Sequence, residues 1–407
     1  MQSQLMKKTT VLCLLFVAAA MGVMLHFCAN KIVVVADVAQ DEVVQAAESA
    51  GERAAGDGVS GAMTDAVPEG GAAGNVSAAG DDSGTSDAAG HGGSTEDGAG
   101  SDGGTDAMEG WSGNRIHIDR DSENTNYFCV PIPPQVRVEE VTIENHYMDR
   151  QLWVSIEPDK MQEEDTFYET NGVYGNCEKV VDGQFEVERK RICLRFQLTD
   201  VFEYRSIFED NTLYIEFVPP KEVYEKIVVI DPAYGREETG AATEKIAAKD
   251  ITLQVAKALK EKLDKTDIKV YYTRMDDSNP AAENRVGLAE AAKADMLIRI
   301  EVGSAESSKQ YGTEAVYNGR FFIPGFGSVE LADLLEREVV TAISGKANGL
   351  IEASPGDRVI SEATVPAAAI RVGYLTNGQE SILLQREDYI QRIAEGIYQT
   401  ILKAYEE

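Results

Sequence analysis

Between residues 221 and 407, short apolar runs alternate with stretches of helical period. That alternation confines the segment to a sheet with helices laid on its faces. Buried-strand runs fall at 226–231, 268–274, 295–302, 312–317 and 367–375. Between them, 250–265 carries Ile251, Val255, Leu259 and Leu263 on one stripe. The last stretch, 389–405, does the same with Ile390, Ile393, Ile397 and Ile401. Helices are also predicted at 284–294 and 328–343. The expected architecture is an α/β domain with a mixed, mostly parallel sheet and helices on both faces. Its site should lie at the carboxyl ends of strands.

The segment before it has a different texture. Runs at 137–143, 151–156, 191–198 and 212–218 read as strands, and the last two alternate apolar and polar residues with period two. No useful helical pattern intervenes, so residues 114–220 are predicted to form a small all-β sandwich. Residues 51–113 are dominated by Gly, Ala, Ser, Asp and Thr and cannot bury enough apolar area to offset the entropy of ordering. The stretch 30–113 is therefore predicted to be a flexible acidic linker, whose 51–113 part has an r.m.s. reach on the order of 40 Å. It contains Asn75-Val76-Ser77, read as a chance glycosylation pattern.

Lys7 and Lys8 precede an apolar run at 10–29 that carries no Asp, Glu, Lys or Arg. A run of spanning length favours an uncleaved transmembrane anchor over a cleaved signal peptide. The lysines place residues 1–9 in the cytoplasm and the remaining domains outside it. The expected localisation is thus a single-pass protein of the cell membrane. Cys28 lacks the small residue expected before a lipidated cysteine.

With a net charge of −31, the chain is not built to seek nucleic acid. Of its five cysteines, Cys129, Cys177 and Cys193 fall outside the apolar run. They admit either a Cys177–Cys193 bridge or three free thiols. From residue 221 onward there is neither histidine nor cysteine.

The C-terminal segment resembles the zinc-dependent N-acetylmuramoyl-L-alanine amidases, which cleave the amide between muramic acid and the stem peptide of peptidoglycan. Val228-Val-Ile-Asp-Pro-Ala-Tyr-Gly235 stands where that family has a strand ending in Asp-Pro-Gly-His-Gly. Ala248-Lys-Asp-Ile-Thr-Leu253 follows its Glu-Lys-Asp-x-Asn-Leu. Tyr272-Thr-Arg274 with Asp277, then Asn284-Arg285-Val286, follow next. Ala294-Asp-Met-Leu-Ile-Arg-Ile-Glu301 stands at its Ala-Asp-x-x-x-Ser-Ile-His. Pro366-Ala-Ala-Ala-Ile-Arg-Val-Gly-Tyr-Leu-Thr-Asn377 with Glu380 completes the series. The β segment resembles the AMIN-type sandwich that precedes amidase domains in some cell-wall hydrolases.

The resemblance implies a zinc held by two histidines and a glutamate, with a second glutamate as general base. Carried across, these positions are Tyr234, Ala248, Glu301 and Arg371, so the catalytic set is degenerate and no zinc ligand set remains. A shifted hard-oxygen site for Ca²⁺ or Mg²⁺ using Asp231, Tyr234, Glu244 and Glu301 is disfavoured by the Arg371 guanidinium. Glu301 and Arg371 are instead expected to form an ion pair in the metal cavity, with Tyr234 packed over it. The leading reading is a catalytically inactive pseudoamidase that binds peptidoglycan or an envelope partner. An active hydrolase with a rearranged site, and a regulator that binds another amidase or its activator, are the alternatives. Bland readings are expected for the loop 321–326 (packed on the core), the turn at 172–175 (structural) and the basic cluster 189–191 (a solvated strand face).

Overall fold

The computed structural model describes residues 32–33, 113–122, 126–158, 166–188, 191–320 and 322–406. The predicted anchor at 10–29, the body of the 30–113 linker, Asn75, Arg189 and Lys190 lie outside these. Among the described residues no helix is long and apolar enough to cross a membrane.

The N-terminal part is a pair of antiparallel sheets. One runs in the order β1 (Ile32–Val33), β9 (Glu203–Glu209), β10 (Thr212–Val218), β3 (Phe128–Pro131), β6 (Tyr174–Gly175). The other runs β2 (Asn114–Arg115), β7 (Val180–Glu188), β8 (Arg191–Leu198), β5 (Gln151–Ile156), β4 (Val141–His146). On β8, Ile192, Leu194, Phe196 and Leu198 face inward, and on β10 so do Leu213, Ile215 and Phe217. The two sheets share this core: Phe128 of β3 meets Phe196 of β8 edge to face at 4.9 Å. The predicted strand at 137–143 begins instead as a 3-10 turn at Val138–Glu140. The cause is local, because Glu140 turns back to accept the Arg137 backbone N–H at 2.7 Å. Cys129 and Cys177 are buried, Cys193 is half-buried, and none of the three joins a disulfide.

The C-terminal part is one six-stranded sheet in the order β12 (Lys269–Tyr272), β11 (Ile227–Pro232), β13 (Met296–Gly303), β16 (Ala367–Tyr374), β14 (Thr313–Tyr317), β15 (Ala347–Glu352). The first four strands are parallel, and β14 runs antiparallel to β16. Helices α1 (Ala248–Leu263), α3 (Ser328–Ile343) and α5 (Glu387–Ala404) bury their apolar stripes on one face. Helices α2 (Ala282–Ala291) and α4 (Arg358–Ser361) cover the other. Strands buried on both faces need apolar residues at every position, as β11 has up to Asp231 and β13 up to Arg299.

β15 was not expected. Asn348 and Gly349 interrupt its apolar pattern, and the Glu336 carboxylate holds it by accepting both backbone N–H groups, at 3.1 and 2.7 Å. The loop 321–326 is not wholly packed either. Phe326 rests on the core, while Phe322 is 90% exposed.

The sandwich and the α/β sheet share apolar contacts. Val201, Tyr147, Met148 and Tyr224 pack with Ile227, Val229 and Tyr271. β12 is the open edge of the sheet, and the Tyr147 hydroxyl occupies it. That hydroxyl donates to the Tyr272 carbonyl at 3.0 Å and accepts from the Tyr272 N–H at 3.1 Å, as a neighbouring strand would. Beside it, Glu203 accepts from the Tyr271 hydroxyl and pairs with Lys269 at 3.1 Å.

Candidate functional site

Strand alternation decides which side chains meet. On β13, Met296, Ile298, Ile300 and Val302 point to the face covered by α1, α3 and α5. Leu297, Arg299 and Glu301 must then point to the other. The same period puts Asp231 of β11, Arg371 of β16 and Glu314 of β14 on that face. Register then sets the partners. Asp231 lies opposite Arg299, and Arg371 lies between Glu301 and Glu314.

The outcome is a ladder of alternating sign. Arg285 and Arg299 each donate through Nη1 to Asp231, one to each carboxylate oxygen. Arg299 Nε donates to Glu301 Oε1 at 2.8 Å. The other oxygen of Glu301 accepts from Arg371 Nε at 3.0 Å. Arg371 continues to Glu314 at 2.8 Å and to Asp357 at 3.3 Å. The expected Glu301–Arg371 pair is therefore present, as one rung of a longer network.

Asp231 is completely buried, and burial alone would raise its pKa. The charges of Arg299 and Arg285, with a 2.5 Å hydrogen bond from Thr273, outweigh that and hold it down at about 2. Burial disfavours a charged Arg371, but Glu314 and Glu301 reverse the sign and keep it ionised.

Tyr234 follows β11 in a left-handed conformation, φ 70°. Arg285 Nη2 donates to its carbonyl at 3.3 Å. Gly235 is required next, since its φ is 145° and a Cβ there would stand 2.1 Å from the Ser278 carbonyl oxygen. This bend turns the Tyr234 ring over Gly240, where a Cβ would touch both the ring, at 2.6 Å, and the Ala248 Cβ, at 2.9 Å. Tyr234 thus caps buried Ala248 and faces Arg299, whose guanidinium carbon is 6.0 Å from the ring centroid. Burial, followed by the Glu301 charge, pushes the phenol up to about 12.

Of the four positions singled out by resemblance, Tyr234, Glu301 and Arg371 line one cleft of about 660 Å³ at the carboxyl ends of β13 and β16. Ala248 lies beneath Tyr234, outside the lining. Glu244 is exposed and away from the cleft. Arg299 was missed as a site residue, although it stands where the quoted amidase motif has serine.

These donors do not fit zinc. Ala248 offers no ligand atom, and both Glu301 oxygens are engaged by guanidinium groups. Tyr234 keeps its proton, and Arg371 is a fixed cation. Asp231 is likewise held by two arginines. Among the described residues no group of three or more His, Cys, Asp or Glu side chains is placed to hold a metal ion.

Other residues of the quoted motifs have structural work. Arg274 donates to the carbonyls of Pro232 and Ala233, both at 2.9 Å. Asp277 pairs with Lys249 at 2.9 Å. Glu380 accepts the N–H groups of Gly312 and Tyr374 at 2.9 and 2.8 Å, and Asn377 caps the short helix Gly378–Leu383.

Residues 228–403 match the family model for N-acetylmuramoyl-L-alanine amidase. A germination-specific N-acetylmuramoyl-L-alanine amidase of Bacillus subtilis (strain 168) is 28% identical over 198 residues, covering 45% of this chain and 81% of that protein. The uncharacterized protein YqiI of the same organism is 29% identical over 182 residues, covering 45% and 86%. A solved N-acetylmuramoyl-L-alanine amidase from Clostridium difficile 630 is 31% identical and covers 45% of this chain and 97% of its own, with a TM-score of 0.42. Residues 228–403 are accordingly a domain of the N-acetylmuramoyl-L-alanine amidase family.

Proposed function

We propose that this chain is a membrane-anchored envelope protein whose amidase-family domain binds peptidoglycan without hydrolysing it. The observation that carries the reading is the engagement of both Glu301 oxygens by Arg299 and Arg371, at a position where the family resemblance expects a zinc ligand. A hydrolytic metal there would have to displace two guanidinium groups from a nearly buried carboxylate. It would also have to tolerate their charge. Anchoring rests on the apolar run at 10–29, with Lys7 and Lys8 on its cytoplasmic side.

The test uses the full chain purified in detergent, incubated with isolated sacculi and excess Zn²⁺, with released amino termini counted. The expected outcome is no metal-dependent release, together with co-sedimentation of the chain with sacculi. Release that a chelator abolishes would make this an active amidase with a rearranged site. Failure to sediment would shift the role to binding an envelope protein, such as another amidase or its activator.

A further inference from the structure

The outer edge of β9 meets a segment far from it in sequence. β9 pairs with β10 along its whole length, from Glu203 opposite Val218 to Glu209 opposite Thr212. Its other edge takes β1, antiparallel, with Ile32 opposite Phe208 and Val33 opposite Ile207. β1 opens the run Ile32-Val-Val-Val35, four β-branched residues in a row, and no second run of this kind occurs before Asn114. Such residues suit a strand, and a bare strand edge recruits one.

We propose that the β9 edge is the docking site for this chain's own juxtamembrane segment, which holds the sandwich against the extracytoplasmic face of the membrane and not at the end of a tether. The inference rests on the anchor reading of residues 10–29 given above and assigns the surface that meets the membrane.

Chain length sets the distance. Residues 30 and 31 alone separate β1 from the predicted anchor. Fully extended, the steps from residue 29 to Ile32 span about 10 Å. Direction sets which part faces the lipid. Because β1 is antiparallel to β9, its amino-terminal end lies towards Glu209 and the turn that follows. That turn is tight, since Asp210 and Asn211 have φ of 50° and 55°, as a two-residue hairpin requires. The tip of the β9–β10 hairpin is thus the part of the sandwich nearest the bilayer. The far end of the intervening segment is fixed to the same sandwich, where Asn114 and Arg115 of β2 pair with Phe185 and Gln184 of β7. Residues 34–113 therefore begin and end on one module. Their length sets the size of a loop, not the reach of the domain, and closing a loop becomes only slowly more costly as it lengthens.

The experiment is disulfide trapping in the full chain, reconstituted in vesicles of zwitterionic lipid and oxidised briefly, with each new bond located by peptide mapping. Val33→Cys is combined with Ile207→Cys, its register partner, or with Arg205→Cys, two residues away on the same strand. The proposal expects an intrachain 33–207 bond, at monomer mass, to form at least about tenfold faster than a 33–205 bond. Should Ile207→Cys lower the thermal transition, Ile32→Cys with Phe208→Cys reads the same register. An in-register bond in chains that float with the vesicles supports the proposal, because residues 30 and 31 then leave the sandwich no place away from the membrane. Equal rates at the two positions would show a segment that samples the edge without docking, and would overturn it. Chains that float with the vesicles and give equal rates sink this inference alone. Chains that do not float sink the anchor reading, and this inference with it.

Discussion

Arg371 carries one positive charge to three carboxylates, and only about a quarter of its side chain meets solvent. Replacing it with methionine keeps much of the volume, takes the counter-ion from Glu314 and Asp357 and leaves Glu301 with Arg299 alone. Removing one member of a buried pair costs about 3–5 kcal/mol. Arg371→Met should therefore lower unfolding stability by about 3 kcal/mol in chemical denaturation, and Glu301→Gln added to it should recover part of the loss. A drop under about 1 kcal/mol would mean that the ladder is held by its other contacts. The Glu301–Arg371 rung was legible because both residues end strands that the amidase pattern places side by side. Arg299 was not, because a single arginine inside a strand reads as a solvated position until the register sets it across from Asp231. The partner Glu314 was hidden for a further reason. Its strand runs the other way, so its first residues, not its last, reach the site.

At the level of elements, α1, α3 and α5 and the strands β11, β13 and β16 followed directly from hydrophobic period. Periodicity could not show how closely the helices approach. On α5, a Cβ added to Gly396 would stand 2.5 Å from the Val339 Cα and 2.9 Å from its nitrogen, both on α3. The two helices pack backbone to backbone at that point. Alanine is favoured over glycine in a helix interior by about 1 kcal/mol, whereas overpacking typically costs 1–3 kcal/mol. Gly396→Ala is expected to destabilise the protein by about 1 kcal/mol net, read from the denaturation midpoint at unchanged slope. Net stabilisation would show that α3 and α5 separate freely. The loop at 321–326 and strand β15 escaped the sequence reading for related reasons. Phe322 is apolar yet exposed, and β15 depends on the distant Glu336 for two of its backbone partners.

Across the whole molecule, the sandwich and the α/β sheet meet through specific groups as well as apolar packing. The Tyr147 hydroxyl serves both the N–H and the carbonyl of Tyr272, taking the place of a missing seventh strand. Tyr147→Phe would keep the ring against Tyr271, 5.0 Å away, and remove those two bonds. The expected loss is about 1–3 kcal/mol, with faster hydrogen exchange at the Tyr272 amide and little change in the far strands of the sheet. Unaltered exchange at that amide would mean that the edge is closed by packing alone. Nothing in the sequence announces this contact. Tyr147 sits in a turn, and its partner is a main-chain group more than a hundred residues away.

That single hydroxyl also bears on how such a chain can have been assembled. Modules that fold independently can be exchanged between genes, since neither depends on the other's surface. Here one module supplies the terminating pair of hydrogen bonds for the other's sheet, so an exchange would leave a bare strand edge on the recipient. At this edge the two parts act as one structural unit, in which a change at the turn carrying Tyr147 is also a change to the edge of the amidase-family sheet.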